Sequence, residues 1–177
     1  KTGKDEYGKE FPLAFRFFGS YSPPLYTYLT VVPVWIFGLN GFSVRIISVI
    51  CATLMLVVLD GFLRQSNLIN KRMISLLLLL FAITPWNFFF ARTGYEIYLG
   101  FFLFSLGVLF CYLGLKKKIF LMAGFIILSI SSYGAHPQIY SVPVFILGFL
   151  GLFHKLIDKK TLLIGAVFAL IIQIPHL

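Results

Sequence analysis

Six apolar stretches run along this chain, over residues 46–63, 73–91, 95–115, 119–136, 138–153 and 161–177, and almost all the basic residues between them fall on alternate connections. About 20 helical residues cross the hydrocarbon core of a bilayer, with a working range of about 17–25. Water is absent there, so each crossing segment must satisfy its own peptide groups, and each stretch is expected to be a helix. The expected fold is therefore all-α: a polytopic transmembrane helix bundle. Hydrophobic residues make up 59% of the chain and charged residues only 12%, about half the charge of an ordinary soluble domain.

The basic residues set an orientation. One set of connections holds Arg64, Lys71 and Arg72, then Lys116, Lys117 and Lys118, then Lys155, Lys159 and Lys160. The opposite set holds only Arg45 and Arg92 close to span ends. Cationic connections stay in the cytoplasm. The Arg92–Glu96 turn and the His136–Gln138 turn are then expected outside it, in a multi-pass protein of the cell membrane. The net charge of +9 is mostly this topogenic lysine and arginine, with anionic headgroups as its natural contact. No nucleic-acid partner is needed to explain it. Cys51 and Cys111 stand alone inside apolar spans, where a thiol acts as a small packing group and makes no metal spacing.

Residues 1–45 have a different character and form the first region, an extracytoplasmic loop with a juxtamembrane helix; 46–177 is the bundle. Charge is mixed with Phe11, Phe15, Phe17, Phe18 and Tyr21, and Pro23-Pro24 leads into an apolar run that ends at Gly38, Asn40 and Gly41. The run 24–38 is short for a span and Pro33 interrupts it, so it is expected to lie at the outer interface, with a crossing as the alternative. Tyr26 and Tyr28 are read as interface aromatics. An outward segment at the start requires something upstream to carry it over. With the last stretch running to Leu177, the sequence is expected to be a fragment of a longer polytopic chain.

Few polar residues lie at membrane depth. Asp60 and Arg64 are four apart, the spacing of a helical ion pair. Glu96 is the only carboxylate between Asp60 and Asp158. An anion at the start of a span suits the helix N-terminus, and an ionisable group at a membrane edge marks a site. Arg92 stands four residues before it and shares its face if the helix runs back through Thr93. Arg92 and Arg45 either snorkel to headgroups or grip an anion.

The order of these elements resembles a known family. Tyr-Ser-Pro-Pro-Leu-Tyr-Thr-Tyr-Leu (21–29) is followed by Phe-Gly-Leu-Asn-Gly-Phe-Ser-Val-Arg (37–45). One span later comes Thr-Pro-Trp-Asn-Phe-Phe-Phe-Ala-Arg-Thr-Gly-Tyr-Glu (84–96). The set is similar to the polyprenyl- and dolichyl-phosphate-sugar glycosyltransferases of the GT-C fold, nearest to protein mannosyltransferases and to the bacterial aminoarabinose transferases that modify lipid A. The likeness covers nearly the whole chain and is strongest over 19–100. It implies that Glu96 and a first-loop carboxylate are catalytic. It implies that Arg92 and Arg45, with Tyr133 and His136 of a later outward turn, bind the lipid phosphate or sugar. Asp5-Glu6 copies the family's acidic pair but lies nearer the proline pair than the family's base does. The implied base is therefore Asp5 or a carboxylate before Lys1. Ser22 stands where the family often has a lysine.

The chemistry implied is sugar transfer from a polyprenyl-phosphate donor to an extracytoplasmic hydroxyl on a protein, lipid or glycan. A guanidinium stabilises the phosphate as it departs, and a carboxylate takes the hydroxyl proton. No cofactor is certain; some relatives use a divalent metal, so a metal at the acidic loops stays open. The alternative is a non-enzymatic transporter or lipid-carrier flippase component, which should show paired broken helices and internal repeats.

Overall fold

The computed structural model describes residues 8, 10–17, 20–66, 69–153 and 167. Asp5 lies outside them, and so does the stretch 161–177 apart from residue 167. Helices dominate, preceded by one small antiparallel hairpin, β1 (Phe15–Phe17) and β2 (Ser20–Ser22), with Phe15 opposite Ser22. The hairpin departs from the all-helical expectation. It sits in the loop region, where aromatic residues alternate with polar ones.

The first helix, α1, is Pro24–Phe37, and Pro24 opens it because proline's missing N–H costs nothing in a first turn. Gly38, at φ 78, turns the chain into α2, Gly41–Ser66. Tyr26 faces inward, not toward an interface. It is 7% exposed, and its hydroxyl donates to the Val44 carbonyl at 2.7 Å and meets Ser48 Oγ at 2.9 Å. Near the far end of α2, Arg64 Nε donates to Asp60 at 2.7 Å, as their spacing predicts.

The stretch expected as one span over 73–91 is two helices. Asn70 caps α3 (Lys71–Ile83), its side chain accepting from Met73 N at 3.0 Å. Pro85 then disfavours a helical conformation at the residue before it. Thr84 takes ψ 130, and α4 (Pro85–Thr93) leaves at a bend of 50°.

The remaining helices are α5 (Glu96–Gly114), α6 (Lys118–Ser131) and α7 (His136–Phe153). The first two pack antiparallel along a glycine seam. Gly100, Gly107 and Gly114 recur at every seventh residue, a spacing that keeps them on one helix face. A Cβ on Gly107 would come within 2.7 Å of Leu128, and one on Gly114 within 2.6 Å of Leu121. From the other side, a Cβ on Gly124 would lie 2.7 Å from the backbone nitrogen of Cys111. Between lipid-facing helices, such close approach replaces the missing hydrophobic drive with van der Waals contact. Both cysteines are buried, as expected of packing groups. Phe104 meets Phe145 edge-on, and Phe125 meets Phe149 likewise, bringing α7 onto α5 and α6.

Three helices, α2, α5 and α7, are long and apolar enough to cross a membrane, and the bent α3–α4 pair makes a fourth if it counts as one span. Six spans are not reached among the described residues. Helix α6 has 14 residues, about 21 Å at 1.5 Å per residue. After Ser131 the backbone tightens, with Ser132 N, Tyr133 N and Gly134 N donating to the carbonyls of Ser129, Ile130 and Ser131, and Gly134 packs against Gly100. Large apolar side chains such as Val57, Leu79, Leu147 and Leu152 stand exposed around the outside, the surface a bilayer would cover.

The helices alternate in direction. Val44 of α2 touches the Gly94 turn before α5, and Gly61 of α2 touches Leu109 near the end of α5. Arg64, Lys71, Arg72 and Lys116–Lys118 therefore gather at one end of the bundle. Arg45, Arg92, Glu96 and His136 occupy the other.

Candidate functional site

The site end is organised by one turn. Gly94 closes α4 in the left-handed conformation, φ 64 and ψ 46, which glycine adopts without a Cβ clash. Tyr95 is extended, and Glu96 begins α5. Helix α4 therefore does not run back from Glu96 through Thr93, and the single shared face expected for Arg92 and Glu96 is broken at Gly94. A Cβ on Gly94 would lie 3.1 Å from Arg45 Cγ and 3.3 Å from Val44 Cγ1. That close crossing brings α2 beside the end of α4.

The consequence is a cationic groove. Arg45 and Arg92 both line a cleft of 410 Å³ with Phe42 and Val49, and both line an adjoining cleft of 660 Å³ with Phe88 and Phe89. The Arg92 guanidinium lies over the Phe88 ring, 5.1 Å from its centroid. Both arginines are exposed, and among the described residues neither has a carboxylate within ion-pair distance. Two guanidiniums over an apolar, aromatic floor suit an anion whose tail is hydrophobic.

On the other side of the turn lies a buried carboxylate. Glu96 is 9% exposed. Its Oε2 accepts a hydrogen bond from the Ser22 hydroxyl, across 74 residues of sequence. His136 opens α7 beside it, as an electrostatic neighbour of Glu96 and a hydrogen-bond partner of the Tyr21 carbonyl. The Tyr133 carbonyl accepts from Leu25 N at 3.1 Å. Hairpin and α1 are thus fastened over the start of α5 and the α6–α7 turn. Tyr28 adds a bond from its hydroxyl to Pro12 O at 2.8 Å.

Of the residues expected at a site, Arg45 and Arg92 share a groove, while Glu96 and His136 are electrostatic neighbours at the same end and the Tyr133 carbonyl there holds Leu25 N. Asp5 lies outside the described residues. The Ser22 and Tyr21 contacts are additions that local sequence could not supply, because both are long-range; the one hint was the place of Ser22 where the family often has a lysine. Helix α4 has a further face. Trp86, Asn87 and Phe90 form a slot of 410 Å³ with Tyr98, Pro137 and Gln138. There the Tyr98 hydroxyl donates to Asn87 Oδ1, and the buried Gln138 Oε1 has no hydrogen-bond partner. Among the described residues, no three His, Cys, Asp or Glu side chains gather as a metal site.

No protein-family profile, curated protein or solved structure matches the chain.

Proposed function

We propose that this chain is the core of a multi-pass membrane glycosyltransferase of the GT-C type. It moves a sugar from a polyprenyl-phosphate donor to a hydroxyl on the extracytoplasmic side. The observation that carries the reading is the Arg45–Arg92 groove, with no carboxylate partner among the described residues, at the same end of the bundle as the buried Glu96. The arginines take the lipid phosphate, and the apolar floor takes the first part of its chain. Glu96, the buried carboxylate at this end, takes the proton from the acceptor hydroxyl in this proposal, the role the family resemblance gives to a first-loop carboxylate, Asp5 or one before Lys1. In the step, the bond between the sugar's C1 and the phosphate oxygen breaks and the bond from the acceptor oxygen to C1 forms. The hydroxyl proton passes to the carboxylate, and the lipid phosphate leaves with the negative charge. The arginines are worth most as that charge develops. His136 and the Tyr133 turn border the sugar. Asp5 keeps the place of a second carboxylate. A divalent metal has no gathered ligand set among the described residues, and no step depends on one.

The segregation of lysine to the opposite end supports an orientation with the site outside the cytoplasm. The bent α3–α4 pair is the one feature that favours a transporter or flippase component, since such proteins use broken helices. Among the described residues it is a single bent pair without a counterpart.

In the complete protein, reconstituted in vesicles with polyprenyl-phosphate sugars, Glu96→Gln and Arg92→Ala should each slow transfer by about 10²–10³, with membrane insertion unchanged. Wild-type rates in both variants would remove these residues from the site. Single cysteines at Thr93 and Lys71 test the orientation in intact cells: an impermeant thiol reagent should label position 93 and spare 71, and the reverse pattern would place the site away from its donor.

A further inference from the structure

An acceptor hydroxyl must reach the carboxylate oxygen that is to take its proton. Glu96 is 9% exposed, and the group on its Oε2 is the Ser22 hydroxyl, a primary alcohol carried on the extended strand β2. We infer that Ser22 occupies the acceptor subsite: its hydroxyl holds the place of the acceptor hydroxyl, and β2 is a strap that the acceptor displaces. The inference rests on the glycosyltransferase reading and adds to it the acceptor's chemistry, an unhindered primary alcohol on a slender chain.

Four features favour an occupied subsite over a permanent structural bond. Ser22 comes from a segment remote in sequence, so no helix geometry forces the pair together. The strap is short: β2 has three residues and pairs only with β1, itself three residues long, and a lone hairpin of this size is marginal in water. Its neighbouring fastening is a single bond from the exposed His136 to the Tyr21 carbonyl. A fixed pivot follows at once, because Leu25 N is tied to the Tyr133 carbonyl and Pro23-Pro24 stiffens the link. Lifting residues 20–22 about that pivot breaks the Ser22–Glu96 and His136–Tyr21 hydrogen bonds, together with either the pairing to β1 or, if the hairpin lifts as one, the Tyr28–Pro12 bond, and uncovers Glu96 beside His136. A hydroxyl that replaces Ser22 restores one of them. A bulky secondary alcohol would bring a second carbon to the place where Ser22 has only its Cβ hydrogens.

The test uses the complete protein in vesicles, with farnesyl-phosphate mannose and farnesyl-phosphate glucose as donors, and propan-1-ol or propan-2-ol as acceptor. Ser22→Ala empties the subsite and leaves the backbone fastenings in place. Donor consumption, by water and by propan-1-ol, should rise about fivefold, the equivalent of one ordinary hydrogen bond no longer in competition. Propyl glycoside should exceed isopropyl glycoside. A fall in both reactions would make Ser22 a positioning residue for the carboxylate and overturn the inference, as would an unchanged rate or equal use of the two alcohols. Donor left intact by wild type and variant alike would sink the glycosyltransferase reading, and the inference with it. Strap opening has a readout that needs no turnover. Cys51 and Cys111 are buried, so a Ser22→Cys thiol reports its own exposure to an impermeant maleimide. Adding His136→Ala, which removes the neighbouring fastening, should speed that labelling about fivefold; an equal rate would show that β2 is not held as a strap.

Discussion

Helices α5 and α4 meet at one turn and are held in opposite ways. Helix α5 is built into the bundle, with Tyr98, Leu99, Gly100, Gly107, Leu109 and Cys111 all buried. Helix α4 buries no residue fully, and Trp86, Phe88 and Phe89 are exposed along it. Glu96 therefore stands on the most tightly packed element and Arg92 on one of the most loosely packed. Local opening follows the density of buried contacts. The difference suits the chemistry proposed: a base fixed in position, and a cation on an arm that can adjust to a lipid arriving from the side.

The sharpest way to break this comparison is to fill the seam. In Gly124→Ala the new methyl would meet the Cys111 backbone nitrogen and sulfur at 2.7 Å and the Gly107 carbonyl at 3.0 Å. Backbone atoms cannot turn aside as a side-chain tip can, so α5 and α6 must separate. The expected loss is about 2–3 kcal/mol, at the upper end of overpacking costs. Gly148→Ala on α7 is the control. Nothing lies within 4 Å of its missing Cβ, and the helix should gain up to about 1 kcal/mol. Unfolding in mixed micelles measures both. Equal stability for the pair would mean that the seam is not what holds Glu96 in place.

The seven-residue spacing of Gly100, Gly107 and Gly114 is present in the sequence, but hydropathy alone does not reveal the seam. Apolar runs of suitable length hid it, because hydropathy counts a glycine in a span as neutral filler. Hydropathy likewise read straight through Thr84-Pro85 and Gly94, although both are backbone signals: proline disfavours helix at the residue before it, and glycine permits the left-handed turn. The Asp60–Arg64 pair was legible because it is local. The interior place of Tyr26 was not, because its partners Val44 and Ser48 belong to the next helix. Nor was the Ser22–Glu96 bond, whose partners are 74 residues apart. At the site, residue types could be selected from sequence. Their division into an arginine groove and a separate buried carboxylate depended on the Gly94 turn.

A second test acts on the arm. With Pro85→Ala, Thr84 is free to become helical, and α3 and α4 should straighten toward one span. Spin labels at Lys71 and Thr93 should move apart as the 50° bend relaxes. Arg92 would then swing away from Arg45, and transfer should fall by about 10- to 100-fold, the cost of a misplaced group. Stability should change little, because α4 buries no residue. A bend that persists without the proline would mean that packing against α2 sets it, and that α4 is not a free arm.

The smallest effect separates binding from chemistry on that arm. Phe88 supports the Arg92 guanidinium at 5.1 Å, and both groups are exposed. Such a contact is worth about 0.5–1 kcal/mol at an exposed site. The ring meets the arginine before and during the reaction alike, so removing it costs ground state and transition state equally. Phe88→Ala should therefore raise the KM for donor about two- to fivefold with kcat unchanged. Arg92→Ala removes the charge itself and should act on kcat. If Phe88→Ala lowered kcat as Arg92→Ala does, the guanidinium would need the ring to be aimed. The cation would then be as fixed as the carboxylate, and the contrast between the two helices would not extend to the reaction.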